Sequence, residues 1–152
     1  MENRSFTLIE LLVVIAVIGL IASIILVNMK SAREKAKVSK MEDDLFQIRN
    51  AIDIARHKED KVLLQITGSG CSACSCWSAD CDYKCDACRT RMDTTFKRLG
   101  LPGAIVDPWG RYYGIDENEL EFADNPCRKD TIICAHHKTI SVPFYSPQCL
   151  QQ

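Results

Sequence analysis

Ser5-Phe6-Thr7-Leu8-Ile9-Glu10-Leu11-Leu12-Val13-Val14 opens a stretch that continues as IAVIGLIASIILVNM to Met29, with no charged residue from Leu11 onward. At about 1.5 Å per helical residue the uncharged part spans roughly 28 Å, close to the hydrocarbon thickness of a bilayer. The run is longer than the apolar region of a secretory signal, and its start, Met1-Glu-Asn-Arg-Ser5, contains an acid, which weakens the signal-peptide reading. A buried core helix fits less well still: apolar residues occupy every face, and a remainder of about ninety residues is too small to wrap it. Glu10 is the residue that a plain anchor leaves unexplained. A carboxylate inside an apolar span is costly unless paired or near the interface. The candidate partners are Arg4 and the amine that a cut just before Phe6 would create.

These residues carry a resemblance. The short polar leader, the Phe6-Thr-Leu-Ile-Glu10-Leu core and the unbroken apolar run together resemble the N-terminal signature of type IV pilins and of the pseudopilins of type II secretion. The resemblance implies cleavage by a membrane-embedded prepilin peptidase between Ser5 and Phe6, and N-methylation of Phe6. It also implies that Glu10 docks on the terminal amine of a neighbouring subunit during filament assembly. Two opposite charges, each costly in an apolar fibre core, become tolerable together. Ser5 stands where the family usually has Gly. The basic residues Lys30, Arg33, Lys35, Lys37 and Lys40 follow the span, and a charge rule alone would keep their side in the cytoplasm. The motif implies the opposite orientation and is followed here. The implied setting is a single pass through the bacterial inner membrane, with the head outside the cytoplasm, and later a periplasmic or extracellular filament. The implied partners are copies of the chain, other pilin-like subunits, the prepilin peptidase, an inner-membrane assembly platform and lipid.

Beyond Met29 there is no Pro or Gly until Gly68, and Val38, Met41, Leu45, Ile48, Ile52 and Ala55 recur three and four apart, one stripe of a helix. Arg33, Lys37, Glu42, Asp43, Arg49, Asp53 and Arg56 fall on the other faces and read as solvated. The stripe is too short for a sustained coiled coil and is expected to pack on the chain's own C-terminal head. Joined to the apolar span it makes one helix from about Phe6 to about Asp60, with Gly19 as its soft point. The organisation expected is a leader at 1–5, an assembly helix at 6–29, its amphipathic continuation at 30–61 and a cysteine-rich head at 62–152.

The rest of the composition bounds the function. The chain has 152 residues, with 19 Lys and Arg against 20 Asp and Glu, a net charge of −1 that excludes a general nucleic-acid binder. With 47% of residues hydrophobic it has ample apolar surface to offset chain entropy, which excludes a disordered chain. All nine cysteines lie between Cys71 and Cys149. After a flexible break at Ile66-Thr-Gly-Ser-Gly70 come Cys71, Cys74, Cys76, Cys81, Cys85 and Cys88. Cys71 and Cys74 with Cys85 and Cys88 have the paired-knuckle form of a zinc site, on a shorter linker than usual. Disulfides are the rival chemistry, favoured by an oxidising compartment and by a head too small to hold much core. A redox-active C-x-x-C is a third option, without the βαβ surroundings such motifs have. Nine is odd, so one thiol stays unbridged or pairs between subunits. Cys127 or Cys134 is expected to tie the later strands back to the cysteine-rich loop, and Trp77 and Tyr83 to pack over the bridges.

Arg89 to Leu99 reads as an amphipathic helix with Met92, Phe96 and Leu99 on one side and Gly100 as its stop. Asp107-Pro108-Trp109-Gly110 is a turn, leading into strand candidates at 111–115, 120–123, 131–135 and 139–145. The fold class expected is α+β, a long N-terminal helix with a small antiparallel sheet of three or four strands. Asp107-Pro108-Trp109-Gly110 with Tyr113 also resembles a motif of the major pseudopilins of type II secretion. Their calcium-binding C-terminal loop is missing or replaced here. Asp116, Glu117, Asn118 and Glu119 lack the alternate spacing of a calcium loop and read as a solvated turn. His136 and His137 read as surface residues. No cofactor is expected, zinc or calcium being the lesser alternatives, and no catalytic motif appears. The reading is a structural filament subunit. The alternatives are a type IV pilus major or minor pilin, serving adhesion, DNA uptake or motility, and a membrane-anchored zinc or redox module.

Overall fold

The computed structural model describes residues 7–135 and 137–151, with backbone alone at 26–28. Helix α1 runs Leu8–Glu59 without interruption, through Gly19. Its residues divide between two compact units, Met1–Val38 and Ser39–Gln152.

In the first unit every described side chain from Leu8 to Ile25 is exposed, and the helix is long and apolar enough to cross a membrane. Ser23 returns its hydroxyl to the Leu20 carbonyl at 2.7 Å, so this hydroxyl needs no external acceptor.

In the second unit the stripe of α1 is buried as its spacing predicts: Met41, Leu45, Ile48, Ile52 and Ala55 all belong to the core. After α1 come α2 (Leu63–Thr67), a 3-10 turn at Ser72–Cys76, α3 (Asp86–Arg98), strands β1 (Gly114–Asp116), β2 (Thr131–Cys134) and β3 (Lys138–Ser141), and α4 (Pro147–Leu150). The sheet is antiparallel in the order β1-β2-β3, with Ile115 opposite Ile132 and Ile132 opposite Ile140. Tyr113 donates its hydroxyl to Asp44 of α1 at 3.3 Å, which ties the start of the sheet to the helix. The cysteine-rich segment approaches the sheet at Gly114, where an added Cβ would lie 2.9 Å from the Ala73 Cβ and 3.0 Å from Tyr83 Cε1. A side chain there would push the two layers apart. The architecture is α+β, with the sheet contacted by α1 and by the cysteine-rich segment.

Several local expectations change. The break at 66–70 is in part helix α2: Ile66 and Thr67 are buried, and only from Gly68 does the chain turn. Helix α3 starts at Asp86, three residues before the amphipathic pattern, because the Cys85 sulfur caps it by accepting the Cys88 N–H. Met92, Phe96 and Leu99 are buried on one side as expected. Segment 120–123 is no strand. Leu120 has φ 63 and this stretch keeps only an isolated bridge, Glu119 to Cys127, beside it. The strand expected at 111–115 begins at Gly114, preceded by the single bridge Val106–Tyr112. The last strand stops at Ser141, ahead of Pro143, which has no N–H to give a ladder.

Candidate functional site

The N-terminal segment is described from Thr7 onward; Arg4, Ser5 and Phe6, named above as charge partner and cleavage site, lie outside the described residues. Glu10 sits in the first turn of α1. Its Oε2 accepts the Thr7 N–H and the Thr7 hydroxyl, both at 2.8 Å, and the Thr7 oxygen accepts the Glu10 N–H at 3.3 Å. Thr7-x-x-Glu10 is thus a capping box, which satisfies helix-terminal donors reciprocally. The sequence carries this signal, a Thr three residues before a Glu at the head of an apolar run, although the apolar surroundings point first to a charge partner for Glu10. The box holds the carboxylate exposed at the helix start.

The head turn is built on Asp107. Its carbonyl accepts the Gly110 N–H at 3.0 Å, and its Oδ1 accepts the N–H groups of Trp109 and Arg111, each at 2.9 Å. Pro108 presets the first corner and Gly110, at φ 85, the exit, so the four residues close the hairpin whose first rung is Val106–Tyr112. The other oxygen, Oδ2, accepts from the Cys134 thiol at 3.4 Å, joining the turn to β2. Trp109 lies against His137, ring centroids 4.0 Å apart. His137 is exposed and His136 lies outside the described residues.

Four disulfides form: Cys71–Cys74, Cys76–Cys88, Cys81–Cys85 and Cys127–Cys149. The cysteine-rich loop closes on itself, so neither Cys127 nor Cys134 ties the strands back to it. Cys127 instead receives Cys149 from α4, and Cys134, the ninth cysteine, keeps its thiol, buried beside Asp107. The knuckle cysteines Cys71, Cys74, Cys85 and Cys88 are divided among three bridges, and bonded sulfurs are not thiolate ligands. Among the described residues no cluster of three or more His, Cys, Asp or Glu is placed to hold a metal. Tyr83 packs inward as expected, whereas Trp77 is half exposed beyond the bridges.

The largest correction concerns charge. Arg56, read as solvated, is 1% exposed, and the expected solvated turn carries Glu117, Asn118 and Glu119, all buried. Arg56 Nη2 meets Glu119 Oε2 at 3.3 Å and also Asp130, while Nη1 donates to the Pro143 carbonyl at 2.9 Å. Glu119 also accepts the N–H of Tyr145 at 2.9 Å and of Ser146 at 2.6 Å; Asp130 accepts those of Asn118 at 2.6 Å and Glu119 at 2.8 Å. Burial pushes the Asp130 carboxyl up against these hydrogen bonds and against Arg56.

Glu117 is a separate anchor. Its oxygens accept the Ser72 N–H at 2.7 Å and the Ser72 hydroxyl at 2.5 Å, which fastens the cysteine-rich segment beside β1. Burial, outweighing those bonds, pushes its carboxyl up to about 7. A raised carboxyl means the folded head binds a proton more readily than the unfolded chain. Its contribution is therefore fully present below about pH 4.3, the unfolded value, and is lost as pH rises through about 7. Glu117→Gln is expected to flatten stability between these limits, by up to about 3–4 kcal/mol, in urea melts across pH. An unchanged slope would count against this role.

Residues 1–26 match the family described as the prokaryotic N-terminal methylation motif. The type II secretion system core protein G of Vibrio cholerae is 34% identical over 112 residues, 74% of this chain and 69% of that protein. The Klebsiella pneumoniae protein of the same name is 36% identical over 72 residues, 47% of this chain, and that of Escherichia coli K12 is 40% identical over 53 residues, 35% of this chain. Against these two relatives the chain spans 50% and 37% of their length. No solved structure matches the chain. With a third of positions shared over more than two thirds of both sequences, and with the methylation motif at its head, the chain belongs to the family of type II secretion system core protein G.

Proposed function

We propose that the chain is a structural subunit, a pseudopilin of a type II secretion system, that polymerises into a helical filament through α1. The observation that carries this reading is a helix whose described side chains from Leu8 to Ile25 are all exposed and almost all apolar, with one carboxylate, Glu10, at its start. Such a surface is at rest in lipid or against copies of itself. In the inner membrane the subunit is anchored by 6–29, following a leader at 1–5 that prepilin peptidase removes between Ser5 and Phe6. Phe6 is then methylated. The head, 62–152 with the continuation 30–61, stands outside the cytoplasm, consistent with four disulfides.

In the filament the Phe6 amine of one subunit takes Glu10 of its neighbour, replacing the Thr7 N–H in the capping box. The platform proteins and other pilin-like subunits are its partners. The subunit performs no chemistry in assembly, and the reading requires neither zinc nor calcium. The cysteine-rich segment favours a second reading, a pilin of a type IV pilus, since the pseudopilin resemblance does not account for it.

Mass spectrometry of the chain purified from bacterial membranes tests processing: a mature terminus at methyl-Phe6 is expected, and an intact Met1 sinks the reading. Glu10→Ala is expected to insert in the membrane at normal levels and to fail in filament assembly. Normal filaments from this variant would leave Glu10 with the helix cap alone.

A further inference from the structure

Three of the four bridges contain at least one buried cysteine: Cys76 and Cys88 are both 0% exposed, Cys81 4% and Cys149 2%. Cys71–Cys74 differs. Neither of its residues is buried, and Cys74 is exposed. It also closes the shortest loop, with a sequence separation of 3 against 12 for Cys76–Cys88 and 22 for Cys127–Cys149. The gain from a cross-link grows with the loop it closes, so this bridge does the least for the fold.

The residues between its two ends do not depend on it. Ser72 is 0% exposed and bound through its N–H and hydroxyl to Glu117, and its oxygen accepts the Thr95 hydroxyl at 3.1 Å. Ala73 is 0% exposed, at the close approach to Gly114. An opened bridge therefore leaves two thiols held at the positions from which the bond re-forms. A structural staple needs none of this, whereas reversible exchange needs an accessible sulfur and a frame that survives opening. Cys81–Cys85 is nearly as short but has Cys81 buried and its Cys85 sulfur engaged as the cap of α3.

We infer that Cys71–Cys74 is a thiol–disulfide exchange site, open to a small or protein dithiol, while the other three bridges are structural. A thiolate of the dithiol attacks Cys74 Sγ, the Cys71–Cys74 bond breaks, and Cys71 leaves as a thiolate that takes a proton from water. The second thiolate of the dithiol then attacks its own sulfur in the mixed disulfide and releases Cys74. Two electrons pass to the head, which gains two thiols, and the dithiol leaves as a disulfide. The reverse sequence re-forms the bridge.

The test is a dithiothreitol titration of the full chain in detergent, quenched with iodoacetamide and mapped by peptide mass. Cys71 and Cys74 are expected to be alkylated about tenfold faster than the six other bridged cysteines, with the near-ultraviolet circular dichroism unchanged at that point. Oxidised dithiothreitol is expected to restore the same bridge. A second arm uses Cys71→Ser/Cys74→Ser, expected to lower the melting temperature by less than about 10 °C and by clearly less than loss of Cys76–Cys88 does. The inference is overturned if another bridge opens first or together with this one, if opening it removes the near-ultraviolet signal, or if the double variant loses as much stability as one lacking Cys76–Cys88.

Discussion

Arg56→Met is expected to destabilise the head by about 3–5 kcal/mol, a fall in melting temperature of roughly 10–25 °C. Arg56 is the cation facing two carboxylates that are essentially without water, Glu119 at 0% and Asp130 at 1% exposure. Forming a buried ion group gains little on balance, since desolvation offsets most of the attraction. Removing one member is different, because the charges left behind keep their burial and lose their compensation. The Pro143 carbonyl loses a donor as well. Thermal melts followed by near-ultraviolet circular dichroism measure the loss. Arg56→Met/Glu119→Gln/Asp130→Asn supplies the control, expected to recover much of the stability by withdrawing the charges together. Lys97→Ala, at an exposed pair with Asp93, is expected to cost about 0.5 kcal/mol or less. An Arg56→Met melt indistinguishable from the parent would show that the triad contributes nothing.

Loss of the Cys76–Cys88 bridge is expected to cost about 3 kcal/mol through loop entropy alone. Cys76→Ala/Cys88→Ala severs the link between the 3-10 turn and α3, two elements that otherwise meet through the Ser72–Thr95 hydrogen bond and apolar packing. Both cysteines are fully buried, so the vacated volume adds a packing penalty on top. Urea melts of the full chain give the difference. A midpoint shift no larger than that of Cys71→Ser/Cys74→Ser would mean that loop size and burial do not rank these bridges.

The helix and its stripe were legible because periodicity is a local property: Met41, Leu45, Ile48 and Ile52 declare their face by spacing alone. The same spacing places Arg56, four residues after Ile52, on the buried side, where its charge alone argues for solvent. Tyr113, Ile115 and Glu117 are buried at alternate positions, but strand β1 ends at Asp116 and Asn118 and Glu119 are both buried beyond it, so no strand parity reports them. What makes the burial of Glu117 and Glu119 tolerable lies far away in sequence, at Ser72 for the first and at Arg56 and Tyr145 for the second, and no local pattern reports such partners. The disulfide pairing was hidden for the same reason, being set by the turns that bring cysteines together rather than by their intervals. Leu120–Ala123 had strand composition, yet the left-handed backbone at Leu120 bends it out of the ladder. The Asp107 turn was readable because Asp, Pro and Gly each fix a corner on their own. Its reach to Cys134 was not.

Arg56 also bears on the conditions under which the head folds. A bound metal stabilises by mass action, so its contribution shrinks with dilution and vanishes in a chelator. The guanidinium that faces Glu119 and Asp130 is covalently part of the chain, present at one equivalent in every copy from the moment of synthesis. The compensation that Arg56 gives these carboxylates is therefore independent of the divalent-ion content of the medium and cannot be removed by a chelator.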